Sequence, residues 1–197
     1  AKRINKKVDE QGVDMPKVRI ASFKGDKACA ISYTFDDALR DQSILAAPML
    51  EKYGFRGTFW AIPSMVPETE EILTNSKKKW GGITWKRLKE MSDNGHEISN
   101  HGWSHKNLVN LKSEQEIRTE IEKADSLILL KIGKKPRTFC YPYNAFNEQV
   151  LAIAMENRVD TRTRCSGWGY RTTTQWMNNW ADGLIKKGER GIPRIHA

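Results

Sequence analysis

Nowhere in this chain do apolar side chains run to the roughly 18 in succession that a membrane-spanning helix needs. The opening residues, AKRINKKVDEQGVD, also lack the apolar segment of a secretory leader, so no signal peptide is expected there. Cysteine is scarce. Cys29, Cys140 and Cys165 are odd in number, and no CxxC or Cys/His spacing outlines a structural zinc site. Free thiols are therefore expected rather than a disulfide framework. Neither an internal repeat nor a low-complexity tract is present, which excludes solenoid and linker-type chains.

Acidic residues are outnumbered: 24 Asp and Glu against 33 Lys and Arg give a formal charge of +9. The bases are scattered, with only short runs such as Lys77-Lys78-Lys79 and Lys134-Lys135. That pattern fits a solvated surface, or attraction to an anionic polymer, better than a stripe that tracks nucleic acid. With 197 residues, 39% of them hydrophobic and 29% charged, the chain is long enough for one globular domain with its own core.

Residues 1 to about 18 read as an irregular arm. After it, strand-like and helix-like segments alternate. KACAISYTF (27–35), GTFWAI (57–62), HEIS (96–99), RTFCY (137–141), VDTR (159–162) and IPRIH (192–196) are short, β-branched or apolar, and bounded by turn residues. A helix is expected over 39–53, with Pro48 bending it or starting a second one. Another follows Thr84 over 85–94. The clearest spans 114–132, where Ser113 and Glu116 form a capping box, Ile117, Ile121, Leu127 and Leu130 supply an apolar face, and Gly133 and Pro136 close it. Two more are expected near 147–157 and 174–187. Such alternation implies parallel strands in an α/β sheet or barrel, whose chemistry collects at the carboxyl ends of the strands.

Two stretches fall at such ends. ISYTFDDALR (31–40) runs a strand into the adjacent acids Asp36 and Asp37, which repel each other unless something offsets their charge. GHEISNHGWSHKNL (95–108) places His101 and His105 after a strand, four residues apart, a spacing that sets both imidazoles on one side of a helical turn. Two imidazoles and one carboxylate are a recurring ligand set for catalytic zinc with an open position for water. A cation there would let both acids ionise, one as ligand and the other as the base that takes a proton from metal-bound water.

YTFDDA, YGFRGTFWAI, GHEISNHGWSHKNL and FCYPYN, in this order, resemble the polysaccharide deacetylase family, also called the NodB homology domain or carbohydrate esterase family 4. The resemblance covers roughly residues 27–196. It implies an α/β fold, a distorted, incompletely closed (β/α) barrel, over a domain of residues 19–197, with truncation at its carboxyl end left open. It also implies that Asp36 is the general base, and that Asp37, His101 and His105 hold a divalent metal, usually zinc, with cobalt or nickel as alternatives. Relatives often carry Arg-x-Pro-Tyr-Gly where this chain has CYPYN. Cys140 thus stands in place of the Arg that orients the base, and Asn144 in place of Gly. Arg162, in VDTRTR, is the expected substitute, with Arg164 as the fallback. The Tyr143 N–H is assigned to the oxyanion. Trp103, Pro142, Tyr143 and Trp168 are expected to line the sugar groove. His196 is the expected proton donor to the leaving amine, with Asp160 or Asp182 as its partner.

The function so implied is removal of N-acetyl groups from a GlcNAc-containing polysaccharide, with neither nucleic acid nor a transmembrane segment involved. The location implied is extracytoplasmic: secreted, periplasmic or at the cell surface. O-acetyl esterase action on xylan or another glycan, hydrolysis of small cyclic amides, and a non-catalytic glycan-binding pseudoenzyme are the alternatives.

Overall fold

The computed structural model describes residues 30–69, 82–162, 182–183 and 186–187, together with the backbone of 194–196. The irregular arm, Cys29, Arg164, Cys165, Trp168 and most of the helix expected over 174–187 lie outside the described residues. Positions 182–183 and 186–187 are helical.

Six strands form one sheet: β1 (Ser32–Phe35), β2 (Thr58–Ala61), β3 (Glu97–Asn100), β4 (Thr138–Cys140), β5 (Asp160–Arg162) and β6 (Arg194–His196). Every pairing is parallel, and the order is β5-β4-β3-β2-β1-β6. The expected strands are all present, shorter except for β3, which keeps its length and is shifted by one residue, and Ala30 and Ile31 are outside β1. In a flat sheet β5 would lie four strand spacings from β1, about 19 Å away. Instead Arg162 of β5 reaches Thr34 of β1 and Trp60 of β2. The sheet is therefore curled into the expected incompletely closed α/β barrel.

Alternation along the strands explains the two faces. Phe35, Phe59, Ala61, Ile98 and Phe139 point outward and are buried against helices. Their neighbours Thr34, Thr58, Trp60, Glu97, Ser99, Thr138 and Arg162 share the concave face. That interior is polar and hydrogen-bonded. Glu97 accepts from Thr58 Oγ1 and Thr138 Oγ1, both at 3.0 Å, and Trp60 Nε1 donates to Thr138 Oγ1 at 3.0 Å. Asp36, His101 and Cys140 continue this parity past or at the strand ends.

Among the described residues, the α-helices that flank the sheet are α1 (Ala47–Lys52), α2 (Trp85–Asp93), α3 (Glu114–Ile132) and α4 (Glu148–Met155). A π-helical turn over Gln42–Ala46 leads into α1, with the Ala47 N–H bonded to the Gln42 carbonyl, and Pro48 sits in the first turn of α1. Pro48 thus follows a π-helical turn within one continuous helical run, and the widened turn accommodates its missing N–H. In α3 the capping box is present and Gly133 ends the helix at φ +78°. Its buried face differs from the expected one: Ile117, Ile121, Ala124, Ile128 and Ile132 are buried, whereas Leu130 is 76% exposed. Leu130 lies about 220° around the helix from Ile117 at 100° per residue, facing solvent.

His96, just before β3, is buried. Its Nδ1 accepts the Gly57 N–H at 3.0 Å, and Nε2 faces Glu51 Oε1 at 3.1 Å. The ring is therefore a neutral fixture of the barrel's amino end.

Candidate metal centre and active site

Asp36 and Asp37 meet the problem of alternation at once, because adjacent residues of an extended strand face opposite sides. Here Asp37 and Ala38 adopt left-handed backbone, φ +70° and +50°. That turn brings both carboxylates to the mouth of the barrel. Gln42, a residue the sequence did not single out, holds the turn shut. Its Nε2 donates to the Asp36 carbonyl at 2.6 Å and its Oε1 accepts the Leu39 N–H at 3.2 Å.

His101 follows β3 with its own N–H bonded to the Ala61 carbonyl. Its ring Nδ1 contacts the Cys140 carbonyl at 2.8 Å. With the proton on Nδ1, the Nε2 lone pair faces the acids, the second bond of the kind that orients metal-binding imidazoles. His105 reaches the same point by a different path from the expected helical turn. Residues 101–105 form an irregular loop with Gly102 at φ +79° and His105 at φ +59°. The two imidazoles are edge to face, 4.8 Å apart.

Asp37 Oδ1 lies 3.5 Å from His101 Nε2 and 3.5 Å from His105 Nε2. Metal bonds of about 2.0–2.1 Å at tetrahedral angles set donor atoms about 3.4 Å apart. The two Asp37 separations match that spacing, and all three donor atoms lie within 4.8 Å of one another, so the group could hold a small divalent cation. Burial lowers the pKa of His101 to about 4, against the pull of Asp36, and burial lowers that of His105 as well. Both rings are neutral near pH 7, the state that binds metal.

Asp36 sits beside this triangle, its Oδ2 4.0 Å from His101 Nε2. Arg162 Nη2 hydrogen-bonds that same oxygen. The guanidinium also lies 2.8 Å from Cys140 Sγ, approaches Thr34 Oγ1 at 3.4 Å, and rests 4.5 Å from the centre of the Trp60 ring. It is buried. Cys140, fully buried, is small enough to leave the volume that Arg162 fills. Trp60 is the second residue missed by the sequence reading. Its inward parity on β2 was the available signal.

At the end of β4, Pro142 begins a turn in which Tyr143 and Asn144 are left-handed, φ +59° and +54°. Tyr143 is exposed, and its ring stands 4.8 Å from that of His105. An open groove runs from there along His105, Lys106, Asn107, Asn110 and Leu111. Trp103 is placed elsewhere: its ring packs under Lys123 of α3, with Nζ 3.9 Å from the ring centre. β6 pairs with β1 so that His196 is in register with Thr34. Asp160 begins β5, at the opposite end of the sheet from Asp36, and Asp182 is exposed.

A parallel half-barrel with a two-histidine, one-aspartate cluster at its carboxyl ends defines the class of architecture. The sequence model described as polysaccharide deacetylase matches residues 24–161, and this chain belongs to that family. Chitin deacetylase 1 of Cryptococcus neoformans is 30% identical over 123 residues, 62% of this chain and 23% of that protein. Among solved structures, the Streptococcus pyogenes deacetylase PplD in complex with acetate superposes with a TM-score of 0.54 at 25% identity, over 64% of this chain and 51% of that one. The Xyl-CE4 domain of a multidomain xylanase from the hindgut metagenome of Trinervitermes trinervoides gives 0.57 at 22% identity, over 85% and 74%, a likeness of fold. The chain spans less than half the length of the curated relatives it matches.

Proposed function

We propose that this chain removes N-acetyl groups from a GlcNAc-containing polysaccharide, using a divalent metal held by Asp37, His101 and His105 and Asp36 as the base. The observation that carries this reading is Asp37 Oδ1 standing 3.5 Å from both the His101 and the His105 Nε2, beside a second carboxylate fixed by Arg162. A zinc, cobalt or nickel ion bound there supplies a Lewis acid for the acetyl carbonyl and a water of lowered pKa.

The chain's own groups then divide the work. Asp36 takes the proton from the attacking water, whose oxygen bonds to the acetyl carbon. Arg162 balances the charge of Asp36 and fixes its orientation. The Tyr143 N–H donates to the oxyanion that forms. As the carbon–nitrogen bond breaks, the amine nitrogen takes a proton from His196, leaving acetate and a free glucosamine unit. The exposed Tyr143 ring and the open groove beside His105 offer a surface for neighbouring sugars, with Pro142 shaping the turn. An acetylated glycan of the wall or envelope, met outside the cytoplasm, is the substrate this reading favours.

Acetate release tests it. The purified protein is assayed on N-acetylglucosamine oligomers and on acetylated xylan, before and after chelation and with zinc, cobalt or nickel restored. Metal-dependent acetate from the amide substrate is expected. Release from xylan alone would make the protein an esterase, and glycan binding without acetate would make it a lectin-like module.

A further inference from the structure

Glu120 sits on the buried face of α3, one turn from Ile117 and Ala124 and beside Ile121. It is 4% exposed, in a stripe otherwise made of apolar side chains. A carboxylate so placed is costly unless its oxygens are satisfied. Among the described residues, all the partners of its carboxylate come from the loop that carries His105. Ser104 N–H donates to Oε2 at 2.9 Å, Ser104 Oγ donates to Oε1 at 2.9 Å, and Lys106 Nζ pairs with Oε1 at 3.1 Å. The Glu120 carbonyl accepts the Trp103 N–H at 2.8 Å. One helical residue thus grips positions 103, 104 and 106 on both sides of His105.

His105 itself needs such a grip. Its backbone is left-handed at φ +59°, a conformation that is uphill for a non-glycine residue and persists only when neighbours enforce it. We infer that Glu120 is a positioning residue for the metal centre: its carboxylate clamps the 103–106 loop in the strained form that aims His105 Nε2 at Asp37. This rests on the metal reading above. The clamp contributes to metal affinity, and it does so without touching metal or substrate.

The test measures zinc affinity by competition with a chromophoric chelator at pH 7.5, alongside circular dichroism and a urea midpoint for each variant. Glu120→Gln keeps the shape but loses the charge and presents an N–H₂ to donors. Zinc affinity is expected to fall about 10- to 100-fold, the range for removing an outer-shell support of a ligand. Visible absorption of the cobalt-loaded protein should change with it. A second variant, Ser104→Ala with Lys106→Met, removes the carboxylate's side-chain partners on the loop, leaving the Ser104 N–H, and should weaken zinc in the same direction. Glu122→Gln, exposed on the same helix, should bind as the parent does. Parent-like zinc affinity in folded Glu120→Gln, or in the folded double variant, overturns the clamp. A parent protein that takes up no zinc, cobalt or nickel overturns the metal reading instead, so the two failures are told apart.

Discussion

Arg162 of β5 hydrogen-bonds Asp36 beyond β1, across the interior of the curled sheet. Two consequences meet in this contact. It closes the half-barrel by joining strands that the hydrogen-bond ladder keeps far apart. It also gives the proposed base a fixed, charge-balanced oxygen at the barrel mouth, in a chain whose CYPYN stretch has Cys140 at the position where relatives carry that Arg. The small thiol and the long guanidinium are complementary: either one alone would leave a hole or a clash.

Replacing Arg162 should therefore damage turnover more than metal binding. For Arg162→Met we expect zinc affinity near the parent's and kcat lowered by about 10²-fold, the lower end of what positioned acid–base catalysis contributes. Arg162→Lys keeps charge but loses the planar fork, and should recover only part of the rate. Acetate release and a zinc titration on the same preparations check both statements. Undiminished kcat in Arg162→Met would remove the Arg from the mechanism.

Trp60 should act one step further back. Its ring carries the guanidinium and its Nε1 is tied to Thr138, so the indole has little freedom. A desolvated cation–π contact is worth up to about 2 kcal/mol, enough for a loss of roughly tenfold in kcat when the ring is removed. Trp60→Leu should show that loss with KM little changed, and Trp60→Phe should lie between. A change in KM alone would point to substrate contact instead.

Much of this was legible in the residues, and the failures have physical causes. The strand–helix alternation marked every strand of the sheet, and the Ser113–Glu116 box marked the start of α3 within a residue. Leu130 misled because a leucine counts as apolar wherever it stands, while burial follows the angle around the helix, which Ile128 satisfies. The His101–His105 pair was read as one side of a helical turn. The actual route uses left-handed backbone at Gly102 and His105, and no spacing rule reports a non-glycine residue in that region. The same holds for Asp37, whose carboxylate joins that of Asp36 only because its φ is positive. Gln42 and Glu120 escaped notice because each acts through its side chain on a neighbouring turn or loop, which periodicity along its own element does not report.

Gly133 offers a stability prediction independent of the site. It ends α3 at φ +78°, and a Cβ added there would meet nothing within 4 Å. The cost of Gly133→Ala is then the backbone term alone, about 1 kcal/mol. The urea midpoint should fall with the slope unchanged, while zinc affinity and acetate release stay at parent values. A silent midpoint would mean that the helix end relaxes to another cap.

Buried histidines set the acid limit of the metal-free protein. The folded pKa of His101 is about 4, lowered chiefly by burial, and burial lowers those of His96 and His105 too. Their unfolded value is near 6.5, so the unfolded chain takes up protons first. The associated stability is complete above pH 6.5 and is lost as pH falls from there toward the folded values. For His101 alone the interval from 6.5 to about 4 amounts to about 3 kcal/mol. His96 adds in the same direction, since a proton on its Nδ1 would confront the Gly57 N–H. Urea midpoints measured in chelator should therefore decline between pH 7 and pH 4.5, and His101→Gln should flatten that decline. Added zinc should hold the midpoint up through pH 6, because a low imidazole pKa leaves the nitrogen free for the cation where an ordinary histidine is already protonated. An undiminished slope in His101→Gln would assign the proton uptake to other groups.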